Sequence, residues 1–335
     1  MITVAVIGAG AMGRHHVRVY RELGANVVGV ADTDVEACRR AGDLHGVRVY
    51  GDHRELLDRE RPGAVSVVVP TSAHFDVVMD ALAAGCHVLV EKPIASTVDE
   101  GRRMLEAARQ HGRVLTVGHI ERFNPAILEL RRRLESGALG RPYQMHARRL
   151  GPFPQRIRDV GVVVDLATHD IDLMCWLGGS EPVRMYAETS RQIHTTNEDL
   201  VTGLIRFANE MVGLLEINWL TPTKIRELIV TGERGMFRAD YLTQDLYFFE
   251  NSVSADGAWA TMSLLRGGVD EGSMTRFALR RREPLAAELD AFLAAARGDG
   301  PPAVSGEDGV RALDVALALI ESAQVSSPLR APRSS

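Results

Sequence analysis

Ile2-Thr3-Val4-Ala5-Val6-Ile7-Gly8-Ala9-Gly10-Ala11-Met12-Gly13 opens the chain. A β-rich apolar run leads directly into G-x-G-x-x-G, and a helical pattern follows to about Leu23. The glycine spacing alone is weak. After a strand and at the head of a helix it has the context of a dinucleotide-phosphate loop. Gly8 permits the tight turn, Gly10 lets the backbone approach a pyrophosphate, and Gly13 lets helix and strand pack closely. The helix amino terminus, with Ala11 and Met12 in its loop, then faces the diphosphate with free N–H groups and a positive dipole end. The competing reading is a glycine-rich turn that binds nothing.

The pattern continues outward from that loop. Asn26 to Ala31 reads as a second strand, and Asp32 ends it nineteen positions after Gly13. An acid there can accept hydrogen bonds from ribose hydroxyls and would repel a 2′-phosphate, which favours NAD over NADP. A solvated turn residue is the alternative, and Thr33 and Arg39 do not alter the preference. His15 and His16 lie just behind the loop, where they read as helix-surface or packed residues or as phosphate contacts. Asp34 to about Asp43 reads as a helix. Val65–Val69, His87–Val90 and Val114–Val117 are further short apolar runs, separated by helical patterns at Ser72–Ala84 and Thr97–His111. Thr97 and Glu100 form a capping-box signature. Short strands alternating with amphipathic helices predict an α/β domain with a parallel, doubly wound sheet.

The second half has a different rhythm. A helix is expected over Pro125–Glu135, a strand near Tyr143–Arg149, and a helix near Val162–Leu177 that stops at Gly178-Gly179. Strand-like segments then crowd together at Val183–Thr189, Leu200–Phe207, Met211–Trp219, Lys224–Thr231, Met236–Tyr241 and Leu246–Phe249. That predicts an α+β domain with a large open mixed or antiparallel sheet. Helices near Pro284–Arg297 and Glu307–Ala323 close the chain. The expected division is 1–120, 121–325 and a flexible tail over 326–335.

Composition narrows the function classes. The chain has 335 residues, 45% hydrophobic and 25% charged, with a net charge of -5. That suits a soluble two-domain protein and gives no global basic excess for nucleic acid or an anionic membrane. No apolar run approaches the ~18 residues of a membrane span. No basic segment precedes the first strand, so a cytoplasmic location is expected. Cys38, Cys86 and Cys175 are too scattered for a disulfide framework or structural zinc and read as reduced core thiols.

Two stretches carry possible redox chemistry. Glu91-Lys92-Pro93 follows the strand His87-Val88-Leu89-Val90. A lysine at the carboxyl end of a strand in a nucleotide-binding sheet lies where ligands bind and can reach both a cofactor and a substrate hydroxyl. The tripeptide is also an ordinary strand-to-turn exit. The second stretch is Asp165-Leu166-Ala167-Thr168-His169-Asp170, with Asp165 and His169 at i, i+4 on one face of the expected helix. Histidine suits proton abstraction near neutrality, and a carboxylate can orient the ring. The same spacing also fits a surface pair. No third metal ligand is evident locally, so no metal is expected. Asp170 and Asp172 point to other helix faces.

Together these residues resemble the Gfo/Idh/MocA oxidoreductases. The resemblance rests on Gly8–Gly13, on Val68-Val69-Pro70-Thr71-Ser72 with His74, on Glu91-Lys92-Pro93, and on Asp165 followed by His169, in the family's order and over nearly the whole chain. It implies an N-terminal Rossmann domain, a C-terminal domain whose open sheet often forms a subunit interface (a homodimer or homotetramer), and an NAD(P) cofactor. It further implies that Pro70, Thr71, His74, Glu91 and Lys92 line the cofactor. His169 is then the acid/base, Asp165 its partner, and Lys92 the group orienting the hydroxyl and cofactor. Within the family, Gly118-His119-Ile120-Glu121-Arg122-Phe123-Asn124-Pro125, followed by Arg156 and Asp159–Leu166, is similar to the UDP-N-acetylglucosamine 3-dehydrogenases. That version implies Arg122 and Arg156 as substrate contacts and oxidation of a sugar hydroxyl to a ketone.

Arg148, Arg149, Arg156 and Arg158 fall close together, with no acid between them. Arginine forks suit a diphosphate-linked sugar, and a solvated basic face is the plainer alternative. Arg280-Arg281-Arg282 is a similar run with a poorer link to the site, and solvation is expected there. Inositol or simple-sugar dehydrogenase, ketosugar reductase and a non-catalytic nucleotide-sensing regulator are the other function classes.

Overall fold

The structure, a computed structural model, describes residues 2–154, 160–193, 196–251 and 271–325. The expected flexible tail at 326–335 lies outside them. By contacts the chain divides into two units. One holds the residues up to Asn124 together with Arg281–Asp314, and the other holds Pro125–Arg280 and the residues from Val315.

The first unit is built on six strands: β1 (Thr3–Ile7), β2 (Asn26–Ala31), β3 (Val49–Tyr50), β4 (Ala64–Val67), β5 (His87–Glu91) and β6 (Leu115–Gly118). They lie in the order β3-β2-β1-β4-β5-β6, and every pairing is parallel. A parallel sheet is covered on both faces, which is why its central strands are almost wholly apolar; Val88, Leu89 and Val90 are fully buried. Five helices connect the strands: α1 (Ala11–Glu22), α2 (Val35–His45), α3 (His53–Glu60), α4 (His74–Ala83) and α5 (Val98–Gln110). The capping box opens α5 as expected. Thr97 Oγ1 accepts the Glu100 N–H at 3.2 Å, and Glu100 Oε2 accepts the Thr97 N–H at 3.1 Å.

The boundary expected at 120 falls close to the contact division, but the block 121–325 needs correction. The chain returns to the first unit through α8 (Pro284–Arg297). Leu285, Leu289, Phe292, Leu293 and Ala296 of α8 share a core with Val4, Val6, Val17 and Tyr20. An apolar stripe shows that a helix must be buried, but not which core receives it.

The second unit contains α6 (Pro125–Glu135), a π-helical turn at Val163–Ala167 and α7 (Thr168–Gly178). Its strands are β7 (Pro142–Pro152), β8 (Pro182–Ser190), β9 (Leu200–Phe207), β10 (Val212–Asn218), β11 (Leu220–Gly232), β12 (Gly235–Asp240), β13 (Asp245–Asn251) and β14 (Glu271–Arg276). They form one sheet in the order β14-β13-β12-β11-β7-β10-β9-β8. Among the described residues only β7–β10 is parallel, so the sheet is mixed. β9 alternates as a one-sided sheet requires: Val201, Ile205 and Phe207 are buried while Leu204 is 42% exposed. The last helix, α9 (Gly306–Val325), has residues in both units.

No described helix is long and apolar enough to cross a membrane. The three cysteines are buried and unbridged, matching the expectation of core thiols.

Candidate active site

Strand order reverses between β2-β1 and β4-β5, the place where ligands bind in open parallel sheets. The glycine loop leaves β1 there. Gly8 has φ +111°, and a Cβ on it would lie 2.2 Å from the Val68 carbonyl oxygen. A Cβ on Gly13 would lie 1.8 Å from the Gly8 carbonyl oxygen. These two glycines are therefore demanded by the protein's own packing. Gly10 is different: nothing lies within 4 Å of its Cβ position. The space beside it fits an approaching diphosphate. Helix α1 begins at the same point with no side-chain cap and no acid in its first turn, which leaves its N–H groups and dipole suited to an anion. Ala11 is exposed and Met12 half-buried beside it.

Asp32 accepts hydrogen bonds from the backbone around it. Its Oδ2 accepts the Ala9 N–H at 2.6 Å and its Oδ1 accepts the Asp34 N–H at 2.8 Å. The carboxylate thus ties the phosphate loop to the end of β2 and stays half-exposed. Pro70 and Thr71 leave β4 beside Gly8, Pro70 exposed and Thr71 half-buried.

Lys92 follows β5 and is half-buried. The Lys92–Pro93 peptide is cis. Glu91 Oε1 lies 3.1 Å from His16 Nε2, and Glu91 Oε2 is 3.3 Å from the Lys92 backbone N–H. Glu91 pairs with Gly118 of β6, where a Cβ would stand 2.9 Å from Glu91 Oε2. Gly118 thus makes room for that carboxylate. His16 is fully buried while His15 is exposed. The signal was present in the sequence: Gly13, His16, Val17 and Tyr20 form a helical stripe, which places His16 on the buried face.

In the second unit the expected regular helix is corrected. Asp165 lies in the π-helical turn and His169 in the first turn of α7. The wider turn alters the relation of i to i+4, and such turns recur at functional sites. Distant contacts set its start. Glu198 accepts the Val162 N–H on its carbonyl at 2.9 Å and the Val163 N–H on its carboxylate at 3.1 Å. Asp165 and His169 are both half-buried, whereas Asp170 and Asp172 are buried. Asp170 accepts Arg149 Nε at 2.6 Å and Arg149 Nη2 at 3.1 Å, and Tyr241 donates its hydroxyl to Asp170 at 3.2 Å. This buried clamp fixes α7 one residue beyond His169.

Several expected contacts are corrected by their surroundings. His74 is buried, with Nδ1 2.8 Å from the Pro93 carbonyl and Nε2 3.0 Å from the Val69 carbonyl. Both ring nitrogens face main-chain carbonyls, one of which accepts the ring N–H, rather than a cofactor. Burial lowers its pKa, against a smaller opposing effect of those carbonyls. Arg122 is 3% exposed and donates to Asp308 at 3.1 Å and to the Ala303 carbonyl at 3.3 Å. It ties the returning C-terminal segment to the first unit, which does not suit the expected substrate contact. Arg148 sits in register between Glu216 and Glu227, at 2.7 and 2.8 Å. With Arg149 held by Asp170, neither serves as a diphosphate fork. Arg156 and Arg158 lie outside the described residues. Arg280, Arg281 and Arg282 are exposed, as expected. Among the described residues no group of three or more His, Cys, Asp or Glu is arranged to hold a metal.

A phosphate loop at the switch point of a six-stranded parallel sheet, followed by a large mixed sheet, defines a two-unit dinucleotide-dependent oxidoreductase class. The chain belongs to the Gfo/Idh/MocA oxidoreductase family: residues 2–119 match its "NAD-binding Rossmann fold" and 127–238 its C-terminal domain. It is an NAD-binding oxidoreductase. It is 31% identical to UDP-N-acetylglucosamine 3-dehydrogenase of Acidithiobacillus ferrooxidans over 93% of this chain and 94% of that protein. A solved structure of that Acidithiobacillus enzyme superposes with a TM-score of 0.85 at 29% identity, covering 96% of this chain and 97% of the other. Inositol 2-dehydrogenase 2 of Saccharopolyspora erythraea is 36% identical over 57% of this chain and 58% of its own length.

Proposed function

We propose that the protein oxidises a secondary hydroxyl of a sugar nucleotide to a ketone, with UDP-N-acetylglucosamine and its 3-hydroxyl as the substrate. The observation that carries this reading is the likeness to a UDP-N-acetylglucosamine 3-dehydrogenase along nearly the full length of both chains. NAD, when bound, accepts the hydride. In this reading Gly8, Gly10, Ala11, Met12, Gly13 and Asp32 hold the cofactor, with Pro70 and Thr71 beside them. Lys92 orients the hydroxyl as a compact point charge. His169 takes its proton, and Asp165 orients the imidazole and stabilises its charged form. The O–H and C–H bonds of one carbon break as its C=O forms, so one proton and one hydride leave together. The same groups serve reduction of a ketosugar in reverse.

The local likeness to an inositol 2-dehydrogenase supports a second reading, oxidation of inositol. Purified protein with NAD and a panel of UDP-sugars, free sugars and inositols, followed by reduced-cofactor absorbance, separates the two. Turnover of UDP-N-acetylglucosamine is expected; turnover of inositol alone would replace the first reading with the second.

Self-association through the second-unit sheet belongs to the same proposal. Val183, Tyr186 and Leu204 are 59%, 40% and 42% exposed on β8 and β9. Light scattering is expected to give a dimer or tetramer, and a monomer at micromolar concentration would exclude it.

A further inference from the structure

The geometry points to His16 and His74 as positioning residues that clamp the Lys92 turn from both sides, with Glu91 as the link on one side rather than a cofactor contact. The inference rests on the reading that Lys92 acts on the substrate hydroxyl.

On the amino-terminal side, His16 reaches from α1 to Glu91 Oε1 at 3.1 Å, and the other oxygen of Glu91 is 3.3 Å from the Lys92 N–H. Gly118 leaves the space that this carboxylate occupies. On the carboxyl-terminal side, His74 stands between the Pro93 and Val69 carbonyls, at 2.8 and 3.0 Å. Whichever ring nitrogen carries the proton, the imidazole is wedged between the exits of β5 and β4. The residues on either side of Lys92 are thus anchored to two different helices. A side chain that must hold a hydroxyl gains from a backbone fixed in this way.

The charges are arranged to match. Burial pushes the Glu91 carboxyl up, but the hydrogen bond and charge of His16, with Lys92 and His74, hold it below the usual range. Glu288 of α8 is 3% exposed, and neither of its oxygens has a hydrogen-bond partner among the described residues. Burial, then the charges of Glu91 and Glu121, push it well up. Of these two nearby carboxyls, the surroundings favour the charged form at Glu91 and disfavour it at Glu288. Environments that split two like groups in this way assign them different tasks.

The sequence supplies a probe independent of any substrate. Lys92 and Lys224 are the only lysines in the chain, and Lys224 is an exposed residue of β11. Lysine labelled with ¹³C at Cε gives two side-chain resonances, assigned with Lys224→Arg. In His16→Phe, His74→Phe and the isosteric Glu91→Gln, the Lys92 resonance is expected to shift or broaden while that of Lys224 stays. NADH affinity is expected to stay within about threefold. With a turned-over substrate, kcat should fall roughly ten- to a hundredfold at little changed KM. Lys92→Ala should then cost far less in the His16→Phe background than in the parent, because the two changes disable one group.

An unmoved Lys92 resonance in folded variants would overturn the inference, as would NADH affinity lost in Glu91→Gln. Full multiplicative losses in the double variant would overturn it too. If His16→Phe does not fold, Glu91→Gln carries the same test. Absence of turnover with every sugar counts against the proposed function alone, because the resonance and the NADH titration still read the clamp.

Discussion

Lys92 stands among 37 arginines and only one other lysine. Arginine is a planar fork that stays charged, whereas lysine is a compact ammonium on a flexible stem able to exchange a proton. A chain that meets nearly every other need for positive charge with arginine keeps lysine at the exit of β5. Lys92→Arg should therefore fail to rescue activity. Both Lys92→Arg and His169→Ala are expected to lower kcat by about a hundredfold or more with NAD affinity nearly unchanged, measured by steady-state kinetics beside NADH fluorescence titration. Near-native turnover would remove that residue from the mechanism. Arg122 and Asp308 make a different kind of pair. Burial pushes the Asp308 carboxyl up, but the charge and hydrogen bond of Arg122 more than offset it, so its pKa lies below the usual range. Asp308→Asn removes a carboxylate to which the buried Arg122 guanidinium donates and should cost about 3 kcal/mol at neutral pH. A depressed carboxylate stabilises above its unfolded pKa and loses that contribution as pH falls through the folded one. The gap between parent and variant in urea unfolding should accordingly close below about pH 4. A gap independent of pH would contradict this.

At the scale of elements, α8 carries a buried carboxyl. Its apolar stripe of Leu285, Leu289, Phe292 and Leu293 also contains Glu288. Burial raises the Glu288 pKa above that of the unfolded chain, where glutamate titrates at about 4.3, so the native state holds this proton more tightly and the group costs stability as pH rises. Glu288→Gln removes the titration. Its stability relative to the parent should improve from pH 4.5 to pH 8, read by denaturant midpoints, and parallel profiles would rule this out. Most elements were legible because period and punctuation agreed. Leu200–Phe207 is the strand that its alternation predicts, and the Thr97 capping box starts α5 where expected. Helix α3, His-Arg-Glu-Leu-Leu-Asp-Arg-Glu, was missed because only Leu56 and Leu57 mark a buried face. Strand β14 was missed because Glu-Gly-Ser-Met-Thr-Arg has no apolar alternation and gains its place only by pairing with β13. The turn at Asp165 depends on Glu198, 35 residues from Val163, and no local pattern reports such a partner. The tight turn of the glycine loop and the place of Lys92 at a strand exit were legible in the sequence. The roles of Arg122, Arg149 and His74 were not, since a side chain's type does not disclose that its donors are already taken.

At the scale of the whole molecule, the proposed chemistry draws on residues of both units. The first supplies a phosphate loop whose Gly10 side is open and a lysine fixed at the end of β5. In the proposed reaction the second contributes Asp165 from the π-helical turn and His169 from α7, which the Arg149–Asp170 clamp holds. NAD binding by itself tests only the first unit. In the proposed reaction turnover draws on residues of both, so a sugar substrate tests that proposal where NAD alone does not. The most direct measurement is initial-rate reduction of NAD by the purified protein with UDP-N-acetylglucosamine and with myo-inositol, each product identified by mass spectrometry. Reduced cofactor with the UDP-sugar, a product two mass units lighter, and loss of both in His169→Ala are expected. Reduction with inositol alone, or a UDP-sugar product formed equally well by His169→Ala, would contradict the proposal.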